Sequence, residues 1–270
     1  FKHVPVRGRV GVSRALIRGN VPWEHVTPSD LRGGLAPRYR TIYLPSQVAI
    51  SEDLLVLLRE YVESGGRVVM DAPGGWFDER GVVLDSARGS EFEKLFGVVI
   101  TDYQYSSNVP RRLRTAAARL ASAAGQLGRP TDGGLAFGDA DERGRLLDGF
   151  IAELRPTAAK PAALYDTGEV AVTKHTLGAG EAIFVGYEAS HSAWKPGNVA
   201  AEVEMRRWAT GDAELPYCCR GGIVYRLAAP VADHYFFITD GEATSVVLET
   251  PAYEYVSAED VIEERSLELG

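Results

Sequence analysis

The chain has 270 residues, 45% of them apolar, and a formal net charge of -8. That is enough apolar material for a real core, arranged as one large domain or two modest ones. The acidic balance argues against a general nucleic-acid binder, which presents a basic face. No apolar run of roughly 18 residues occurs, so no membrane span is expected. Phe1-Lys-His-Val carries no signal-peptide pattern, and a start at Phe1 rather than Met does not read as a native start. The only cysteines, Cys218 and Cys219, are adjacent, a poor geometry for a disulfide and the wrong spacing for a zinc knuckle. They read as ordinary thiols of a reduced, cytoplasmic compartment. Five scattered histidines form no HxxxH or HxH pattern, so no protein-built metal site is expected.

In chain order, Arg9 to Val12 reads as a first strand and Trp23 to Thr27 as a second, with Pro28-Ser-Asp-Leu starting a helical turn. The link from Ser13 to Pro22 is too short for a parallel crossover, which with its helix takes on the order of 10–12 residues or more. Either these strands are not joined in the usual way, or the sequence closes up a loop. Thr41 to Leu44 is a β-forming run ended by Pro45 and Ser46. Ser51 then caps a helical pattern in which Leu54, Leu55, Leu57, Leu58, Tyr61 and Val62 recur at three- and four-residue spacing. Gly65 and Gly66 stop it, Arg67 to Met70 is a second apolar run, and Asp71-Ala-Pro-Gly-Gly75 breaks that run. Strand, helix and strand in about 30 residues make a βαβ unit, whose strands are parallel. A parallel sheet covered on both faces is therefore expected.

Gly81 to Leu84 is a short strand or extended loop, Ser90 to Phe96 a short helix stopped by Gly97, and Val98 to Thr101 extends again. Propensity favours an Ala-rich helix from Arg111 to Ala124, with an exposed loop from Gly125 to Gly144. The arginines there read as a solvated face rather than a phosphate site. Ala162–Asp166, Val170–His175 and Ala182–Val185 are extended runs separated by hairpin turns at Asp166-Thr-Gly168 and Gly178-Ala-Gly180. A helix follows from Asn198 to Ala209. Leu215 to Gly222 has no periodicity, and we place a boundary there, giving domains 1–214 and 215–270. The second is a set of β runs (Ile223–Leu227, His234–Thr239, Thr244–Leu248, Ser266–Leu269) with Asp240-Gly241 as a turn. About 50 residues is marginal for independent folding, so this module should lean on something else.

Ligands of open parallel sheets bind outside the carboxyl ends of the strands. Pro45-Ser46, Asp71 to Trp76 and Gly186 to His191 should meet there, with Trp194 nearby. They bring Ser46, Asp71, Gly74, Gly75, Trp76, Tyr187, Glu188, Ser190 and His191 into one candidate cleft. A triad needs a nucleophile on a sharp turn flanked by small residues, and no G-x-S-x-G or G-x-C-x-G exists. Ser46 is the only candidate; it lacks flanking glycines and reads more readily as a helix-entry or turn serine. His191 with Glu188 is either an acid–base pair or a surface-loop histidine beside a carboxylate. Asp78 and Glu79, neighbours in a loop, read as solvated. Pro73-Gly-Gly75 would cradle a phosphate only weakly, because no GxGxxG or P-loop accompanies it. No cofactor is expected.

Three stretches resemble the β-galactosidase trimerisation domain of glycoside hydrolase family 42. They are YRTIYLPSQVAISEDLLVLLREYVESGGRVVMDAPGGWFDERG, EFEKLFGV and KHTLGAGEAIFVGY. The resemblance covers most of residues 9 to 210 and, loosely, 220 to 269. It implies an α/β fold of the flavodoxin-like, class I glutamine-amidotransferase-like kind: a mostly parallel sheet with helices on both faces, followed by a small all-β C-terminal domain. It also implies a non-catalytic domain that self-associates as a homo-oligomer such as a trimer and shapes the rim of a neighbouring sugar site. The catalytic carboxylates of that family lie on a preceding barrel, which nothing here resembles. The alternatives are a stand-alone hydrolase using Ser46, Glu188 and His191, or a sugar- or small-anion-binding protein using Asp71 to Trp76.

Overall fold

The computed structural model describes residues 3–34, 36–108, 110, 112–113, 145–211, 213–239, 245–267 and 269. Its first element is a helix, α1 (Val4–Arg18), with proline in the opening turn. The strand expected at Arg9 to Val12 lies in the middle of it. The buried residues of α1 are Gly8, Gly11, Val12, Ala15 and Leu16, a helical repeat whose stripe is built partly of glycine. Glycine reads as a breaker in sequence; here it serves close packing. Trp23 to Thr27 joins no ladder, so the link from Ser13 to Pro22 spans no pair of strands and needs no crossover. The turn at Pro28 is as expected: α2 (Pro28–Arg32) opens on a capping box of Thr27 and Asp30.

The βαβ unit forms as the sequence indicates. Strand β1 (Thr41–Leu44) leads to α3 (Glu52–Glu63), whose Ser51 cap accepts the Leu54 amide at 3.3 Å, and then to β2 (Arg67–Asp71). Strands β1 and β2 run parallel with Thr41 opposite Arg67. Helix α4 (Glu91–Phe96) ends at Gly97, which takes the left-handed conformation. Next come β3 (Val98–Tyr105), the short pair β4 (Arg112–Leu113) and β5 (Arg145–Leu146), and β6 (Phe150–Pro156), which pairs antiparallel with β3. Of the expected helix from Arg111 to Ala124, only 112 and 113 are described, and they are strand. The rest, and the expected loop from Gly125 to Gly144, lie outside the described residues.

Strands β7 (Lys160–Leu164), β8 (Val170–Leu177) and β9 (Gly180–Val185) complete a five-stranded sheet in the order β1-β2-β9-β8-β7. β1, β2 and β9 are parallel, while β8 and β7 are antiparallel. The sheet is therefore mixed rather than mostly parallel, because tight turns at Gly168 and Gly178 fold β7, β8 and β9 back on one another. Alternation sends Val68, Met70 and Phe184 to the α3 and α4 side, and Val69, Ile183 and Val185 to the other. On the first side Phe92, Phe96 and Phe184 pack ring to ring at 4.9 to 5.6 Å. Beneath the other lie α5 (Ala189–Trp194) and α6 (Val199–Thr210), the latter capped by Asn198. α1 packs against both. No helix among the described residues is long and apolar enough to cross a membrane.

The C-terminal strands form three two-stranded ladders. β10 (Cys218–Arg220) pairs with β13 (Val247–Glu249), β11 (Ile223–Ala228) with β12 (Asp233–Ile238), and β14 (Ala258–Asp260) with β15 (Arg265–Leu267). β10 falls inside the stretch that showed no periodicity. The expected Asp240-Gly241 turn lies outside the described residues. Cys218 and Cys219 are free thiols. Asn20, just past α1, ties this region to the rest: its side chain donates to the carbonyls of Cys219 (3.2 Å) and Gly222 (3.5 Å) and accepts the Val224 amide (2.9 Å).

Candidate functional site

The ends of β1, β2 and β9 do converge, but their rim is closed. Asp71, the last residue of β2, is fully buried and spans the neighbouring strand ends. Its Oδ1 accepts the Ser46 amide at 2.5 Å and its Oδ2 accepts the Ser190 amide at 2.7 Å. The two serine hydroxyls then hydrogen-bond each other at 3.0 Å. Ser46 sits at φ 43°, a backbone region that costs a non-glycine residue of order 1 kcal/mol or more. The Asp71 carboxylate holds it there. Burial raises the Asp71 pKa to about 6, opposed by hydrogen bonds from Ser190 and Ser46.

Helix α1 lies directly on this node. A Cβ at Gly8 would come within 3.0 Å of both serine hydroxyls, and one at Gly11 would fall 1.9 Å from the Ser190 carbonyl oxygen. Only a bare backbone fits so close. Side chains fix the helix in place. Arg14 donates to the carbonyls of Ala193 and Lys195, Arg14 and Arg18 both reach the buried Glu202 at 3.0 Å, and Arg7 stacks 4.9 Å from the Trp194 ring centre. Ser46 and Ser190 therefore have no exposure to a substrate.

Glu188 and His191 lie at the same end of the sheet. His191 belongs to α5 and is only 7% exposed, so it is not a surface-loop histidine. Its Nδ1 stands 3.9 Å from Glu188 Oε2, beyond hydrogen-bond reach, and has no partner. Glu188 Oε2 accepts the Phe150 amide at 3.0 Å, while its Oε1 is buried and unpaired. Burial pushes the Glu188 pKa up to about 8. Burial, and then the charge of Arg7, push that of His191 down. Both groups are thus neutral near pH 7. Among the described residues no hydroxyl or thiol is hydrogen-bonded to an imidazole, so the site lacks a nucleophile–base pair.

The glycine-rich turn after β2 is also committed. The Gly74 amide donates to Asp71, that of Gly75 to Gln47, and those of Trp76 and Phe77 to Val48. None is free to cradle a phosphate. Trp76 packs in an aromatic group with Tyr103 (4.6 Å), Phe77 and Phe150 (5.5 Å each). Beside it, a groove of about 170 Å³ is lined by residues including Trp76, Tyr103 and Asp102. Tyr187 is buried and bridges to Ile151 of β6. Asp78 accepts the amides of Arg80 and Val82 and shapes its own loop. The strand-end residues therefore divide into a sealed serine–aspartate node, a neutral Glu188–His191 pair and an aromatic groove. No described group of His, Cys, Asp and Glu could hold a metal ion. Sequence reasoning missed Gly8, Gly11, Arg14 and Gly149 as determinants; the one available signal was the small-residue stripe at helical spacing in α1.

In fold, the chain is similar to a portion of several glycoside hydrolases of known structure. One is a catalytic mutant of Gan42B, a GH42 β-galactosidase from G. stearothermophilus, with TM-score 0.66 and 17% identity over 97% of this chain and 34% of its own. The β-galactosidase of Bacillus circulans sp. alkalophilus matches with TM-score 0.59 and 14% identity, over 87% of this chain and 31% of its own. Alpha-L-fucosidase isoenzyme 2 of Paenibacillus thiaminolyticus matches with TM-score 0.57 and 12% identity, over 94% and 37%. The chain thus spans about a third of the length of these enzymes. No family model and no curated protein matches the sequence. The resemblance to GH42 β-galactosidases read from the sequence holds at the level of fold.

Proposed function

We propose that this chain is a non-catalytic, amidotransferase-like assembly domain with a β tail, belonging or related to a β-galactosidase-type glycoside hydrolase. In this reading it joins subunits as a homo-oligomer and shapes the edge of a neighbouring sugar site. Residues 1–214 form the assembly domain and 215–270 the tail. The observation that carries the proposal is the closure of the strand-end rim by α1. A fold that commonly works at this rim has here placed a helix on it, with two glycines against the serines. Likeness to portions of GH42 β-galactosidases supports the choice of parent class. Size-exclusion chromatography with light scattering at tens of micromolar tests it. The expected result is a dimer or larger closed assembly; a strict monomer overturns the reading.

Carbohydrate contact by the chain itself has one observation in its favour, the groove beside Trp76 with an aromatic wall and the Asp102 carboxylate. Aromatic faces and carboxylates are the groups that grip sugar rings and hydroxyls. Calorimetry with a galactoside panel separates this from a purely structural role.

A further inference from the structure

Glu188 sits where four parts of the molecule meet. It follows β9 and precedes α5, in the turn that carries Ser190 to Asp71. Its Oε2 takes the Phe150 amide at the start of β6. Gly149, at φ 95°, has no room for a side chain because a Cβ there would fall 1.7 Å from the same carboxylate oxygen. The root of the β3–β6 hairpin is closed by Ser106, whose amide donates to the Gly149 carbonyl and whose hydroxyl accepts the Gly149 amide. The carboxylate thus plugs into a backbone notch shaped for it. Yet Oε1 is buried without a partner, and so is Nδ1 of the adjacent His191.

We propose that Glu188 is a proton-operated latch: as a neutral acid it holds the root of the β3–β6 hairpin against the end of β9, and as a carboxylate it lets that root open. The Phe150 bond by itself favours the carboxylate, and the Glu188 amide also donates to the Phe150 carbonyl at 3.2 Å. The switch therefore rests on burial, which outweighs them: the neutral form leaves only an uncharged hydroxyl at Oε1 unpaired. The ionised form leaves a charged oxygen buried without a donor, which is costly. The charged groups around it do not remove this cost. Arg7 of α1 is engaged with Trp194, Lys195 is paired with Asp148, and Asp71 of β2 is a like charge when ionised. His191 is buried and held neutral.

The sign follows from linkage. Burial raises the folded pKa of Glu188 from its ordinary value of 4.5 to about 8, so its contribution is full below about 4.5 and lost as pH rises to about 8. His191 is shifted down from 6.5 and acts in the opposite sense below that pH. Asp71, raised from 3.8 to about 6, adds to the Glu188 slope below pH 6 only. The Glu188 effect therefore stands alone between pH 6.5 and 8. There the ratio of closed to open root should fall by up to about tenfold per pH unit, the limit for one proton.

Millisecond-mixing hydrogen exchange, corrected for intrinsic rates, reads this directly at the Phe150 and Ala152 amides. The expected result is protection that drops roughly 10- to 30-fold from pH 6.5 to 8, at root amides that exchange faster than Val68 and Val69 of β2. In E188Q, which keeps an acceptor for Phe150 but has no proton to lose, root protection should stay level across the same window. A wild-type root whose protection does not change with pH, or an E188Q root that falls as steeply, overturns the latch. If E188Q does not fold, the wild-type pattern decides alone: root and β2 amides exchanging at one rate at every pH would mean global unfolding and no latch. The oligomeric-state test of the proposed function is independent of this outcome.

Discussion

In the five-stranded sheet, Val68, Val69, Met70, Ile183, Phe184 and Val185 are fully covered, whereas in the β11–β12 ladder Leu227, Phe236 and Ile238 each stand more than half exposed. The contrast follows from architecture. A five-stranded sheet has two faces, and helices lie on both. Two-stranded ladders have little interior to offer and are marginal alone in water. Among the described residues of the C-terminal region, the buried hydrophobic cluster joins Tyr217, Cys219 and Val224. Order there comes instead from polar fixtures: Arg226 grips Asp233 with one nitrogen at 3.0 and 2.9 Å, and Tyr255 links Asp233 to the Tyr235 hydroxyl. One region is held by buried area, the other by directional contacts and the clasp at Asn20.

The sharpest way to break that comparison is to hollow the sheet. Phe184 is fully buried and meets Phe92 and Phe96 edge-on. Phe184→Ala should cost about 3–5 kcal/mol of unfolding free energy, from lost transfer energy plus the cavity left behind. Chemical denaturation measures it. A loss below about 1 kcal/mol would mean that the body is not organised around this cluster and that the contrast with the tail is false.

The clasp comes next. Asn20→Ala removes three hydrogen bonds to β10, β11 and the turn between them, one of them the acceptor of the Val224 amide, and leaves that amide unsatisfied. The expected cost is about 1–3 kcal/mol, felt where the tail docks. Limited proteolysis should cut the tail sooner, while the thermal transition of the body barely moves. An equal loss in both regions would show that they unfold as one unit.

The sheet side of this contrast was largely legible in the sequence. Leu54, Leu58 and Val62 gave the α3 stripe, Ser51 its cap, and Gly178 the turn that reverses the chain into β9. Two features hid. The first was α1, because its buried stripe is Gly8-Gly11-Val12-Ala15-Leu16, and hydropathy cannot register a helix face made of glycine. Val10 and Val12 beside glycines then mimic a strand. The second was the fate of the candidate site. Ser46, Asp71, Ser190, Glu188 and His191 were all placed correctly at the strand ends, since topology alone brings them there. Whether that rim is open depends on what lies across it, and the helix that covers it was the element misread.

The smallest expected effect is on the outer face of the tail. Ile223, Tyr225 and Leu227 alternate along β11, and their partners include Ile238 opposite Ile223 and Phe236 opposite Tyr225, so these side chains share one face. Because that face is solvated in the free chain, Phe236→Thr keeps a β-forming residue and removes an aromatic ring that is 55% exposed. Stability should shift by about 0.5 kcal/mol or less, roughly a tenth of the Phe184→Ala effect. A loss above about 1 kcal/mol, growing with protein concentration, would have a different meaning. Mass action makes stability concentration-dependent only when the folded form is bound to something. The exposed face would then be covered by a second copy in solution, and the tail would be stabilised by buried area after all, supplied from outside the chain.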